Sequence, residues 1–112
     1  MLTVKEKGLL LCIVDHCKRI EQKMDGVNQK DFFADEDVRE IICFNLLQIG
    51  ELANKFTAEF LKAYPDVPWK NMRGMRNRIV HGYGTIRIEV VWDTATKNIK
   101  PLRDYCESIL KQ

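Results

Sequence analysis

Apolar residues recur at helical spacing along nearly the whole chain, and strand-like alternation is almost absent. Stripes of that kind must bury against one another. The sequence therefore predicts an all-α protein, an up-and-down bundle of about four long helices plus one short helix joined by tight turns. With 112 residues and only three prolines and six glycines, positions 1–112 read as a single domain. A composition 46% hydrophobic and 30% charged excludes a disordered tail, a collagen-like repeat or a low-complexity linker. The apolar run Leu9 to Val14 follows Lys5, Glu6 and Lys7 and has no small-residue cleavage site behind it. It is too short for a membrane span and does not fit a signal peptide. The expectation is a soluble cytoplasmic protein with no membrane partner.

Thr3 and Glu6 form a capping box, after which Leu10, Ile13, Cys17, Ile20 and Met24 make one stripe and Gly26 ends the helix. Asp31, Asp35, Glu36, Asp37 and Glu40 crowd the start of the second helix, where the macrodipole favours negative charge. Its buried face runs through Val38, Ile42, Leu46, Ile49, Ala53 and Phe56. Asn45 and Gly50 interrupt the surroundings of that face and read as close-packing positions, with a polar contact across an interface as the alternative. A short helix from about Ala58 to Tyr64 stops at Pro65. A fourth long helix begins near Pro68 and runs to Gly82 and Gly84, which can adopt the left-handed geometry that closes helices. Thr85 can cap the last helix, whose seam is Ile88, Trp92, Ala95, Ile99, Leu102, Cys106 and Ile109. Pro101 lies within it and predicts a kink near Lys97.

The cysteines, Cys12, Cys17, Cys43 and Cys106, include no pair at the short spacing of zinc sites, and only His16 and His81 could supplement them. No metal and no cofactor is expected. Cys17 and Cys106 fall on apolar stripes and read as small core hydrophobes.

The net charge is +2, but Val67 to Ile88 holds Lys70, Arg73, Arg76, Arg78 and Arg87 with no acid, leaving the rest of the chain at −3. A polyanion would bind there, unless the segment is only a solvated basic face. Stepping roughly 100° per residue from Trp69, the residues Met72, Met75, Ile79, Val80 and Tyr83 form an apolar arc, and Arg76 falls inside it. A guanidinium cannot shed its proton to escape burial, so it needs a carboxylate, a phosphate or a wet cleft. That favours a groove or subunit interface over a closed core. Arg73, Asn77 and His81, spaced i, i+4, i+8, form a separate row that can line one wall. Taken alone, His81 could simply meet the carboxyl end of its helix.

The segment Met72 to Trp92, MRGMRNRIVHGYGTIRIEVVW, resembles the HepT-like members of the HEPN superfamily. Their signature of arginine, a polar residue, three further residues, histidine, any residue and tyrosine matches Arg76, Asn77, His81 and Tyr83. Met75, Arg78, Val80, Gly82, Val91 and Trp92 also fit, as do Ile49, Gly50 and Glu51 on the second helix, and the likeness covers nearly the whole chain. The resemblance implies the toxin of a type VII-like toxin–antitoxin pair: a homodimeric, metal-independent endoribonuclease whose two signature segments face one cleft. Its RNA substrate is left open between tRNA and mRNA. It further implies a minimal nucleotidyltransferase antitoxin that transfers AMP from ATP to the motif tyrosine, here Tyr83.

RNA carries its own nucleophile, so cleavage needs a base for the 2′-hydroxyl proton, a cation for the phosphorane and an acid for the leaving 5′-oxygen. Histidine titrates near neutral pH, which suits His81 to proton transfer, and Arg76 can give two parallel hydrogen bonds to phosphate oxygens. These two are the candidate catalytic residues. Asn77 would orient His81 or a phosphate, and Arg73, Lys70 and Arg78 would guide the RNA backbone or serve as surface charges. On a straight helix Arg76 and His81 differ by roughly 140°, and one chain lacks an acid, since His16 has no evident reason to approach the motif. A two-fold axis beside the fourth helix would supply the missing group. Tyr83 reads as a core or interface aromatic, a base-stacking platform or the AMP acceptor. Two further readings stay open, a nuclease-inactive HEPN module binding its nucleotidyltransferase partner or a nucleotide, and a plain helical scaffold.

Overall fold

Thr3 opens the first helix because its hydroxyl accepts from the Glu6 amide at 3.0 Å while the Glu6 carboxylate accepts from the Thr3 amide at 2.9 Å. The computed structural model describes residues 1–112. It contains α1 (Val4–Met24), α2 (Gln29–Ala34), α3 (Glu36–Ala53), α4 (Ala58–Ala63), α5 (Trp69–Gly82), a 3₁₀ turn (Tyr83–Thr85), α6 (Ile88–Asp93), a π turn (Thr94–Asn98) and α7 (Ile99–Leu110). α1, α3, α5 and the broken rod α6–α7 are the long members of the expected all-α bundle. No helix is long and apolar enough to cross a membrane. α1 packs on α3 and on α7, and α5 packs closely on α3.

The acidic run marks two helix starts where one was expected. Asn28 caps α2 by accepting from the Asp31 amide at 2.8 Å, and Asp35 caps α3 by accepting from the Val38 amide at 3.2 Å. Arg39 reaches back to the carbonyls of Phe32 and Phe33 at 3.1 and 2.7 Å, supplying donors to the open end of α2. Gly26 has φ +75° and closes α1 as expected.

Other expectations change at helix ends. Gly82 and Gly84 do not take the left-handed conformation, since Gly26 alone has positive φ. Instead α5 tightens into the 3₁₀ turn, where the Thr85 hydroxyl and the Ile86 amide both donate to the Gly82 carbonyl, at 2.8 and 3.1 Å. Thr85 thus closes α5 and does not cap the next helix, which starts after Arg87 with no side-chain cap. The disruption expected from Pro101 takes the form of the π turn that runs directly into α7. An extra residue in that turn accommodates a ring that has no N–H and crowds the carbonyl four positions back.

The core draws Leu10, Ile13, Cys17 and Ile20 from α1, Ile42, Leu46 and Ile49 from α3, and Ile99, Leu102 and Cys106 from α7. Cys17 and Cys106 are fully buried free thiols, and burial pushes the Cys106 thiol up to about 12. Met24, Val38, Ile88 and Trp92 are only half-buried, and Val91 takes the deeper place in the last seam. Asn45 is the one buried polar residue. Its carbonyl oxygen accepts from His16 Nδ1 at 2.8 Å and its amide donates to the Ile41 carbonyl at 2.9 Å, a polar clip between α1 and α3 where packing was expected.

Gly50 is a close-packing position as read. A Cβ there would collide with Arg76 Cβ on α5 and lie 2.8 Å from the Met72 carbonyl. Gly50→Ala would gain roughly 0.5–1 kcal/mol of helix propensity, but overpacking a tight contact costs about 1–3 kcal/mol. The loss outweighs the gain. Thermal unfolding of Gly50→Ala should show a melting temperature several degrees below wild type, and an unchanged or higher value would mean that α3 and α5 can separate freely.

Candidate functional site

Trp69 fixes the start of α5. Its indole N–H donates to the Tyr64 carbonyl at 2.9 Å, and its ring packs against Phe56 and Phe60 with centroids 5.1 and 5.9 Å away. From that anchor Trp69, Met72, Met75 and Ile79 face inward, which sets the direction of every polar side chain on the helix.

Arg76 sits at the edge of the α3–α5 contact, its stem lying over the space that Gly50 leaves open. Its Nε donates to Glu51 Oε1, and its Nη1 donates to Asn77 Oδ1 at 2.9 Å. The carboxylate that a half-buried guanidinium requires is thus the residue next to Gly50. With the two side chains 28% and 41% exposed, the ion pair contributes at most about 1 kcal/mol. Its larger effect is geometric, because Arg76 is held at Nε and Nη1 and keeps Nη2 for a ligand. Glu51 fitted the family pattern in the sequence but received no role there. The signal that would have found it is the glycine before it, which brings the two backbones together.

Asn77 and His81 are exposed and Arg73 is half-buried. Asn77 is engaged by Arg76 in this chain, and not by His81. The predicted backbone-guiding residues do not stay together. Lys70 and Arg78 line a half-enclosed cavity of about 530 Å³ between α5 and the π turn, whereas Arg73, Arg76, Asn77 and His81 do not. His16 is held by Asn45 on the α1–α3 contact.

Tyr83 opens the 3₁₀ turn and is 39% exposed. Partial burial, and then the neighbouring Cys43 and Glu40 of α3, push its phenol above the ordinary tyrosine value, with Arg39 opposing. Ile41, Phe44 and Val80 are exposed apolar side chains on the same two helices. No three His, Cys, Asp or Glu side chains converge where they could hold a metal ion.

The family model described as ribonuclease HepT-like matches residues 13–109. The chain belongs to the HepT-like ribonuclease family. Among its relatives, a protein of Caldanaerobacter subterraneus subsp. tengcongensis assigned as an RNase is 28% identical over 89% of each chain. One from Methanocaldococcus jannaschii, also assigned as an RNase, is 27% identical over 94% of this chain and 87% of its own. One from Thermococcus cleftensis assigned as ribonuclease HepT is 27% identical over 94% of this chain and 96% of its own. No solved structure matches the chain. The match spans α1 to α7 and contains Glu51, Arg76, Asn77, His81 and Tyr83.

Because burial and its α3 neighbours raise the Tyr83 phenol, its titration is a test of this placement. Ultraviolet titration of wild type minus Tyr83→Phe should place the missing phenolate transition above pH about 10. A difference transition at or below that value would put Tyr83 away from α3.

Proposed function

We propose that this HepT-like ribonuclease is the toxin of a toxin–antitoxin pair and cuts RNA through the RNA's own 2′-hydroxyl, at a cleft formed by two copies of α5. The observation that carries the reading is the clamped Arg76: Glu51 and Asn77 hold it in one orientation on the helix that also presents an exposed His81. Glu51 and Asn77 act as positioning residues.

His81 takes the 2′-hydroxyl proton, and the 2′-oxygen attacks the adjacent phosphorus. Arg76 donates to the non-bridging oxygens as charge builds on the phosphorane. The P–O5′ bond breaks, and the partner's His81 gives a proton to the 5′-oxygen. The products are a 2′,3′-cyclic phosphate and a free 5′-hydroxyl. Arg73 steers the RNA backbone from the half-buried flank.

The same geometry supports a dimer. Arg76 and His81 point roughly 140° apart on one helix, so a two-fold axis is needed to bring complementary groups together. Exposed Ile41, Phe44 and Val80 supply apolar surface on α3 and α5 for that contact. A minimal nucleotidyltransferase antitoxin then silences the site by moving AMP from ATP to the Tyr83 hydroxyl, with pyrophosphate leaving. The new phosphodiester adds negative charge and bulk two residues from His81 and repels substrate phosphate. These events belong to the cytoplasm, where RNA and ATP meet.

Arg76→Ala and His81→Ala should each lower cyclic-phosphate product formation by about 10²-fold or more and relieve growth arrest. RNA degradation at the wild-type rate in both variants would reject the catalytic assignment and favour a nuclease-inactive binding module. Val80→Glu with Phe44→Glu should convert the dimer to a folded, inactive monomer by sedimentation and circular dichroism, and an active monomer would reject the shared cleft.

A further inference from the structure

α5 has a second chemically distinct flank. It packs closely against α3, while its other side borders the half-enclosed cavity of about 530 Å³ closed by the π turn and the start of α7. Arg78 points roughly 160° away from Arg76 around the helix. None of Arg76, Asn77 and His81 lines the cavity.

Its lining divides into three parts. The floor is apolar, formed by Leu46, Ile49, Met75, Ile99 and Leu102, all buried. The rim carries Lys70, Arg78 and Lys97, and no carboxylate lines the cavity. Asp93 pairs with Lys97 from outside at 3.2 Å, one turn back, which leaves Lys70 and Arg78 as the unpaired cations. Asn71 and Asn98 add two exposed amides, one from each wall. The Thr94 hydroxyl is already committed to the Val90 carbonyl at 2.8 Å.

The volume falls in the range of small-molecule sites, which typically combine apolar walls with a few polar groups. Two free cations with no acid among the lining residues call for an anion. A bare phosphate would leave the apolar floor unused, and a fatty acyl chain would leave the amides unused. An anion attached to a flat, weakly polar ring with hydrogen-bonding edges uses all three parts. Met75 can pack beneath such a ring, the guanidinium of Arg78 can stack on it or grip its phosphate, and Asn71 and Asn98 can pair with its edge.

We propose that this cavity is a nucleoside-phosphate site, lined by neither Arg76 nor His81, in which Lys70 and Arg78 hold the phosphate. The ligand can come as a free nucleotide or as one nucleotide of an RNA strand passing behind α5. The π turn suits such a site because its widened backbone forms one wall next to Asn98.

Calorimetric titration of the intact protein with AMP, ATP, inorganic pyrophosphate and a short non-cleavable 2′-deoxy oligonucleotide tests the proposal. AMP or ATP, or the oligonucleotide alone, should bind wild type, and Lys70→Gln with Arg78→Gln should weaken that binding about tenfold or more. Binding of the free nucleotides assigns the site to a small-molecule ligand, and binding of the oligonucleotide alone assigns it to the substrate strand. His81→Ala should leave binding unchanged. Met75→Glu, which places a carboxylate in the floor, should also abolish it, with circular dichroism and melting temperature checking that the variant is folded. Pyrophosphate binding as tight as ATP would overturn the role of the floor. Absence of binding by every nucleotide and the oligonucleotide, insensitivity to the Lys70 and Arg78 changes, or loss with His81→Ala would overturn the site itself.

Discussion

The close approach of α3 and α5 at Gly50 governs the arrangement of this protein. Without a Cβ at that position, the stem of Arg76 lies across α3, and the neighbouring Glu51 and Asn77 seize two edges of its guanidinium. A charged group that the apolar arc of α5 would otherwise reject is thereby held at the helix boundary. An isolated pair of this exposure adds little stability. What it fixes is direction, and fixed direction is what a group stabilising a developing charge requires.

The same helix divides the positive charge of the chain between two surfaces. Arg76 and His81 are proposed to meet a second copy, whereas Lys70 and Arg78 border the cavity under the π turn. A single basic segment in the sequence thus yields two environments, one clamped by a carboxylate and one free of acids. The helix rotation of roughly 100° per residue turns Arg76 roughly 160° away from Arg78 and roughly 120° away from Lys70.

Much of the bundle was legible because its signals are local. The Thr3–Glu6 capping box, the Gly26 terminus, the stop at Pro65 and the buried thiols of Cys17 and Cys106 each depend on neighbours along one helix. The misread positions depend on tertiary context. Thr85 could cap a following helix or close the preceding one, and the turn geometry selects the latter. Asn45 offers nothing in sequence to indicate that His16, 29 positions away, will satisfy it. The split of α2 from α3 turns on the Asn28 cap, a weaker signal than the acid cluster that follows it. Within the site, Arg76 advertised its need for a partner through helical periodicity, but naming Glu51 required the register of α3 against α5. Lys70 and Arg78 looked equivalent to Arg73 because charge composition carries no information about which neighbour closes each flank.

The proposed cleft needs His81 from both protomers, one as base and one as acid. Co-expressing wild type with equal amounts of His81→Ala, so that dimers assort at random, measures this requirement directly. If both copies act on one phosphodiester, only wild-type homodimers cut and specific activity falls to about a quarter of the undiluted enzyme. Activity that falls in simple proportion, to about one half, would show that each protomer works alone and would contradict the shared cleft.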